Sequence, residues 1–587
     1  MAANPCKPVK YVVVLMFENR SFDNVLGALN GAPAPQSNPN PNPPPATYPN
    51  ANQTAPTQYN NAGTSYAATT IPVVDPGEYF GDMAQQIFGG DFPTSNPYSD
   101  YDPSQATMQG FTTNSASPGF GQQATPGPNV PDVMNYFTPA QLPVTAFLAN
   151  NYAICETWYA SVPTQTFTNR AFALCAAPGI GGSPYVGWVD DTEYFEEPVT
   201  IPSLLSQLDA VLSVRPAWKV YFHDLPLAMQ TVGYVNSAVG RSNINVATFD
   251  TSDWGPSGPK SLIGNVPSTF LDDVGVTSTT GSVSLPPFSF IEPRYYSNVA
   301  TNSLPPSSNH PGSSQFPPGS FPVSGGTPPI DVVNGELLLA VVYNLLQASG
   351  VWDETLLIVT YDEHGGLYDH VAPLAATPPG TINWGPGVTN PPFTAVPSAS
   401  YSTDKASEGF SFNVYGCRVP AIIISPCVQP GSVISAPANS MPFDHTSIIK
   451  TVFDLFGLAT TDVPSLNARD QKAPSLTGAL ISTNDTGLFD GAIPTFLSFS
   501  SASPAPQTLW RVAVGASFIT AEVTEGSDWL SVASVFNNIG PYSVFATLQV
   551  TVTATPGTLP AGTYNGTIQL AAIVGTSIDV PVTLTVT

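Results

Sequence analysis

At 587 residues the chain is long enough for a large catalytic-size unit plus a smaller one, at about 100–200 residues per domain, and too long for a single small binding module. Charged residues make up only 10% while hydrophobic residues reach 42%, so a substantial core can be buried. Against 41 Asp+Glu stand 15 Lys+Arg, and the net charge of −26 repels phosphate backbones and anionic lipid surfaces, which excludes nucleic-acid binding through basic patches.

The N-terminus, MAANPCKPVKYVVVLMF, does not read as a signal peptide, so either the protein stays inside or an export signal has been removed. Its apolar run Tyr11–Met16 is continuous and valine-rich, the pattern of a strand buried on both faces of a parallel sheet. Residues 31–65 and 301–329 are dense in Pro, Ser, Asn and Gly and predict long surface loops. Strands like the first are expected at Ala217–Phe222, Ser289–Ile291, Thr355–Tyr361 and Val419–Ser425, with helices at Ile201–Val211, Ile330–Ala348 and Thr446–Phe456. That alternation predicts a layered α/β domain, in which ligands bind beyond the carboxyl ends of the strands. The longest apolar runs, Tyr11–Phe17 and Leu337–Tyr343, fall far short of the roughly 18–20 residues of a membrane-spanning helix.

After about Leu488 the composition changes. Stretches rich in Thr, Val and Ile at 508–514, 517–523, 543–554, 563–573 and 577–586 predict an antiparallel β-sandwich of about 85–90 residues. Its lack of His, Lys and Cys argues against a catalytic role. With Ser498–Pro506 read as a linker, the division is a catalytic domain over 1–487 and an accessory domain over 500–587. Among the cysteines, Cys417 and Cys427 flank an extended run and lie too far apart to bridge, and Cys155 with Cys175 is the more plausible pair.

The five histidines, His223, His310, His364, His370 and His445, all precede the sandwich. Two fall in Tyr361-Asp362-Glu363-His364-Gly365-Gly366-Leu367-Tyr368-Asp369-His370, directly after the strand Thr355–Tyr361. Adjacent acidic and imidazole groups at a strand's carboxyl end, with glycines that let the chain turn, suit a divalent cation; a solvated acidic turn is the bland alternative. The first strand ends in Glu18-Asn19-Arg20-Ser21-Phe22-Asp23, which points into the same crevice unless it is simply a capped helix start. His223 follows a strand and His310 sits in the loop SSNHPGSS, while His445 at a helix start reads as supporting or structural.

YVVVLMFENRSFDNVLG at 11–27 and TYDEHGGLYDHV at 360–371 resemble the bacterial phosphoesterase family of phospholipases C and certain acid phosphatases, a branch of the alkaline-phosphatase-like superfamily. The resemblance continues, in the family's order, through WYASVPTQTFTNRAFALCA (158–176), WKVYFHDLP (218–226), RVPAIIISP (418–426) and FDHTSIIKTVFDLFGL (443–458). It implies a three-layer α/β/α sandwich and a divalent metal held by Glu18, Asn19, Asp362 and Glu363. The metal's identity is open among Ca²⁺, Mg²⁺, Mn²⁺, Zn²⁺ and iron. It also implies a hydroxyl nucleophile just before Asn169-Arg170, where the register favours Thr166. The family's Gly and Pro are missing from Thr164-Gln165-Thr166-Phe167-Thr168-Asn169-Arg170, which leaves Thr164 and Thr168 as competitors.

A threonine hydroxyl is a poor nucleophile until a cation or base activates it, and charge on the phosphoryl oxygens needs donors. Asn169, His223, His310 and His370 are the candidates, with Asp369 orienting His370 or binding the cation itself. The expected activity is hydrolysis of a phosphate ester, as acid phosphatase or phospholipase C, through a phosphothreonine. A surface-binding protein with an inactive phosphoesterase fold is the alternative. The C-terminal segments SDWLSV, PAGTYNGTIQL and VPVTLTV resemble immunoglobulin-like BACON-type domains, which implies carbohydrate or cell-surface contact; Trp510 and Trp529 are stacking candidates. A secreted, periplasmic or surface location is favoured, with the cytoplasm also open.

Overall fold

The computed structural model describes residues 7–29, 66, 76–89, 102–116, 130–139, 141–180, 185–190, 201–223, 226–228, 246–248, 270–275, 283–295, 306–311, 331–380, 382–383, 393–396, 410–437, 440–480, 497–500, 507–514, 519–538, 545–572 and 578–586. The Pro-rich stretch 31–65 and most of 301–329 lie outside the described residues.

A mostly parallel eight-stranded sheet organises the larger unit. In chain order its strands are β1 (Tyr11–Phe17), β2 (Ala153–Ile154), β3 (Trp218–Phe222), β4 (Val246–Thr248), β5 (Phe288–Ile291), β6 (Thr355–Tyr361), β7 (Ala421–Ile424) and β8 (Ser432–Val433). Their order across the sheet is β8-β2-β7-β6-β1-β5-β3-β4. The central strands are buried along nearly their whole length, as continuous apolar runs demand when both faces are covered. The helices, in chain order, are α1 (Phe22–Leu26), α2 (Phe80–Phe88), α3 (Pro143–Asn151), α4 (Thr166–Cys175), α5 (Leu204–Val211), α6 (Val332–Ala348) and α7 (Thr446–Phe456); all but α2, whose Phe80 and Ile87 join smaller apolar clusters, share the core of the sheet. The expected strands and helices recur within a few residues at each end.

Sequence reasoning left out the short strands β2, β4 and β8 and erred on the direction of one other. Val419–Ser425 has the same apolar signature as the parallel strands, yet β7 runs antiparallel to both β6 and β2. Burial on both faces leaves the same composition whichever way a strand runs. The reversal matters, because it delivers the residues before β7, Arg418 among them, to the edge where the parallel strands end.

Beyond residue 496, Leu497–Ser500, Ile519–Glu525, Gly562–Ala572 and Ile578–Val586 form one sheet, and Gln507–Val514, Leu530–Asn538 and Phe545–Ala554 another. Pairing is antiparallel except between Leu497–Ser500 and Ile578–Val586. Trp529, Leu530, Val552, Ile568, Val582 and Leu584 form a common apolar cluster drawn from both sheets. Trp529 is therefore core, and the side chain of Trp510 lies outside the description. Leu497–Ser500 is a strand where a linker is expected, and Leu530–Asn538 is a strand the sequence pattern missed. Cys155 and Cys175, the expected pair, are both free buried thiols, as is Cys417; Cys427 is disulfide-bonded. Among the described residues no helix is long and apolar enough to cross a membrane.

The α3 N-terminus is closed by a residue of another helix. Val144 N–H and Thr145 N–H donate to the Glu336 carboxylate at 2.6 and 3.0 Å, joined by the Thr145 hydroxyl, so α6 supplies the cap α3 lacks. Burial nevertheless wins over these donors and pushes Glu336 up to about 7. A carboxyl whose folded value is raised costs stability on ionising. The cost is absent below about pH 4.5, grows as pH rises and is complete above about 7, on the order of 3 kcal/mol. Glu336→Gln, which keeps an acceptor and cannot ionise, is expected to shrink the loss of urea-unfolding stability between pH 4.5 and 7 relative to the parent protein; an identical loss in both overturns the assignment.

Candidate functional site

Strand register builds the site. β1 pairs with β6 so that Phe17 stands opposite Tyr361, and with β5 so that Leu15 stands opposite Ile291. β3 pairs with β5 so that Tyr221 faces Ile291. The residues that leave these strands, Glu18, Asp362, Glu292 and His223, therefore emerge along one carboxyl edge, all of them buried. Asp362 Oδ1 accepts from the N–H of Asn19 at 3.1 Å and of Glu363 at 2.8 Å, which stitches the two segments together across 343 residues of chain.

Close approach at this seam explains the paired glycines. Asn19 has φ +57°, a left-handed conformation that Asn tolerates better than most residues. Gly365, at φ +64°, lies so near that a Cβ there would meet the Asn19 carbonyl oxygen at 2.5 Å. At Gly366 a Cβ would meet Pro76 Cβ at 2.5 Å and the Gly77 carbonyl oxygen at 2.9 Å. The turn thus packs against β1's exit on one side and the approach to α2 on the other. That approach carries Glu78, a buried residue that sequence reasoning missed, whose carboxylate accepts from Asn19 Nδ2.

Thr166 opens α4, at the helix end whose first N–H groups have no intrahelical partner. The competing threonines are engaged elsewhere: Thr164 Oγ1 donates to Asp190 Oδ1 at 2.6 Å, and Thr168 Oγ1 to the Val189 carbonyl at 2.9 Å. Among the described residues the Thr166 hydroxyl has no hydrogen-bond partner. One turn on, and so on the same helix face, Arg170 donates to Asp362 Oδ2 at 3.2 Å and Glu292 Oε1 at 3.3 Å. Its pairing ties Thr166 to the carboxylate edge, and its guanidinium lies over the Tyr295 ring at 5.4 Å. Asn169 stays within the loop before α4: its Nδ2 lies within hydrogen-bond reach of the Val162, Thr164 and Gln165 carbonyls, and its Oδ1 accepts from Val162 N–H.

The histidines divide by partner. His223 Nδ1–H donates to the Glu292 carbonyl at 2.9 Å, so in the neutral ring Nε2 carries the lone pair. His310 donates from Nδ1 to the Pro311 carbonyl, with Nε2 3.9 Å from Glu78; its loop is anchored where Glu18 N–H donates to Ser308 O at 2.9 Å. His445 Nε2–H donates to the Asp362 carbonyl at 2.6 Å while Nδ1 accepts from Trp158 Nε1–H at 3.3 Å, a fully buried support for the β6 exit. His364 Nε2–H donates to Gln86 Oε1 at 2.9 Å, and burial pushes it down to about 3, so the ring is neutral. His370 Nδ1 sits 2.5 Å from Asp23 Oδ2, one member of a compact buried group.

That group is Asp23, Asp369 and His370, whose ligand atoms all lie within 4.8 Å of one another, a spacing that can hold a metal ion. Arg418 ion-pairs with Asp23 at 3.0 Å and Asp369 at 2.9 Å, so a guanidinium already supplies positive charge there. The donors at the seam are of a different kind. Glu18, Asp362 and Glu363 are buried carboxylates, and burial pushes Glu18 up to about 7 against the pull of His310 and Arg170. In the segment that leaves β1, Asn19 Oδ1 is a buried acceptor with no hydrogen-bond partner. Among the described residues the Glu18, Asp362 and Glu363 carboxylates are not drawn together as closely as that first group, but buried acid and amide oxygens of this kind suit a hard divalent cation, and Arg170 already engages one oxygen of Asp362.

Known proteins resemble this chain over most of its length. The profile described as "Phosphoesterase family" matches residues 9–459. Non-specific phospholipase C6 of Arabidopsis thaliana is 29% identical over 456 residues, 77% of this chain and 69% of that protein. Phospholipase C A of Mycobacterium tuberculosis is 28% identical over 503 residues, 81% and 79% of the two chains. The relatives thus span a plant and a bacterium. A solved alkaline phosphatase superfamily protein from Vibrio parahaemolyticus covers 67% of this chain and 81% of its own, at 14% identity and a TM-score of 0.29, too loose a superposition to carry a fold argument.

Gly365→Ala tests the seam. A left-handed backbone and a 2.5 Å clash act together, so the expected cost is about 1–3 kcal/mol in chemical denaturation with a drop in turnover larger than at an ordinary loop glycine. Wild-type stability and activity in that variant would show that the close approach is not needed.

Proposed function

Since this chain belongs to the phosphoesterase family and is a hydrolase of phosphoric ester bonds, we propose that it acts as a metal-dependent phospholipase C with Thr166 as nucleophile. The observation that carries this reading is the contrast among the threonines before Arg170: the Thr164 and Thr168 hydroxyls are engaged by Asp190 and Val189, and that of Thr166 is left for chemistry. In the proposed reaction Thr166 Oγ attacks phosphorus, the bond from phosphorus to the glycerol oxygen breaks, and the leaving oxygen takes a proton. Water then attacks the phosphothreonine, freeing the phosphorylated headgroup and restoring the hydroxyl.

Glu18, Asn19, Asp362 and Glu363 are proposed to hold the divalent cation, which when bound lowers the pKa of the attacking hydroxyl and draws charge from the phosphoryl oxygens. Arg170 sets the distance between Thr166 and the carboxylates through its ion pairs. Asn169 acts by bracing the loop into α4, and not by touching phosphate, since its amide faces the loop carbonyls. His223 and His310 present Nε2 as acid–base or phosphoryl-binding groups, with Nδ1 of each fixed on a carbonyl. His370 is assigned to the Arg418 cluster that anchors the turn after β6. Removing either Arg170 or Arg418 strands buried carboxylates, a change that commonly costs about 3–5 kcal/mol, so both count as framework.

The sheets beyond residue 496 are read as an immunoglobulin-type β-sandwich that attaches the enzyme to a carbohydrate or cell surface. An exported location agrees with this and with the disulfide at Cys427, since such bonds persist mainly in oxidising compartments.

The central test measures release of phosphocholine from short-chain phosphatidylcholine. Thr166→Ala is expected to lower turnover by at least about a thousandfold with folding intact, since such a change removes the attacking atom. Thr164→Ala is expected to lose stability, through its Asp190 hydrogen bond, before it loses activity. Activity surviving in Thr166→Ala and vanishing in folded Thr164→Ala or Thr168→Ala would move the nucleophile. Hydrolysis of phosphomonoesters with phosphatidylcholine untouched would replace the phospholipase reading with a phosphatase one.

A second test removes residues from Leu497 onward. Turnover of a soluble ester is expected to persist, because the proposed metal ligands and nucleophile all precede that point, while retention on insoluble glycans falls. Loss of soluble turnover in a truncated protein with an intact circular dichroism spectrum would make those sheets part of the catalytic unit.

A further inference from the structure

We propose that Glu78 is a positioning residue of this site, turning the Asn19 side chain so that its amide oxygen, and not its nitrogen, is the atom offered to a cation. The proposal rests on the reading of Glu18, Asn19, Asp362 and Glu363 as a cation site and adds a residue outside that set. An asparagine amide has a donating end and an accepting end, and nothing in its shape chooses between them. A carboxylate only accepts. Because Glu78 Oε1 meets the amide at Nδ2, the orientation is decided: Nδ2 turns to Glu78 and Oδ1 turns away, into the position where it is buried with no hydrogen-bond partner. A buried acceptor left unmatched is unfavourable unless a ligand takes it.

Glu78 is itself firmly held. It is 7% exposed, and the chain before it is pinned where Gln86 Nε2 donates to the Gly77 carbonyl at 2.6 Å. Gln86 Oε1 in turn accepts from His364 in the acidic turn, at 2.9 Å. The bare Gly366 lets Pro76 and Gly77 close on that turn. Glu78 Oε2 lies 3.9 Å from His310 Nε2, so the same side chain contacts both the amide and a proposed phosphoryl-binding histidine.

The experiment uses metal-stripped full-length protein in equilibrium dialysis against Mn²⁺, with bound metal read by atomic emission and folding by circular dichroism. Glu78→Met keeps the volume and removes the acceptor, and Mn²⁺ affinity is expected to fall about 10–100-fold, as when other supports of metal ligands are removed. Glu78→Gln retains an acceptor oxygen and is expected to bind within about threefold of wild type, the rescue that a purely volume-filling role would not distinguish. Wild-type Mn²⁺ affinity in folded Glu78→Met overturns the role of Glu78 alone. Glu78→Gln as weak as Glu78→Met overturns the amide-orientation account. Should Glu78→Met not fold, Glu78→Asp, one methylene shorter, takes its place with the same expected loss and the same refutation. Wild-type protein that takes up no Mn²⁺, and no Zn²⁺ or Ca²⁺ in parallel dialyses, defeats the cation reading itself and this proposal with it.

Discussion

The in-register parallel pairing of β1 with β6 is the constraint on which the site depends. Because Phe17 stands opposite Tyr361, the chain leaves both strands at one level, and Glu18-Asn19 and Asp362-Glu363 are forced into contact. A one-residue slip would turn every side chain of one strand to the other face and take Asp362 away from the Asn19 N–H. The left-handed backbone at Asn19 and the Gly365-Gly366 turn are local adjustments that this juxtaposition demands.

Charge is the second constraint. The seam and the turn after it bury Glu18, Asp23, Glu78, Glu292, Asp362, Glu363 and Asp369 in a chain poor in basic residues. Fully buried guanidinium groups at Arg170 and Arg418 offset part of this, each bridging carboxylates from distant segments. An arginine in such a place is a strut: its planar donors fix the spacing of the groups they join. The seam itself stays richer in carboxylate than in cation: burial first, and the neighbouring Asp362 carboxylate after it, raise Glu18, and the Asn19 amide oxygen is left unmatched. An added divalent cation would relieve that excess.

Much of this was legible in residues alone, for reasons tied to particular segments. Tyr11–Phe17 is apolar without interruption and Thr355–Tyr361 is interrupted only by threonine, so their burial and their strand character followed from composition, and the acids behind them had to lie at the strand ends. Glu78 gave no such signal: one glutamate before a short helix, in a stretch of prolines and glycines, looks like a helix-start acid. Arg418 was hidden by strand direction, since Ala421–Ile424 would be composed alike in a parallel arrangement. The pairing expected of Cys155 and Cys175 failed because sequence spacing says nothing about where two side chains lie in space.

The sequence by itself determined which segments become the central strands, that they carry acids, amides and imidazoles to one edge, and that a hydroxyl stands near Arg170. Burial and local turn chemistry act over a few residues, and a linear pattern records them. Only the tertiary structure decided which threonine hydroxyl is left without a partner, that the amide of Asn169 faces its own loop, that His445 supports the Asp362 backbone, and that Glu78 meets Asn19. Those outcomes depend on hydrogen bonds between segments far apart in the chain, and a donor's choice among distant acceptors is made by packing, which no local pattern encodes.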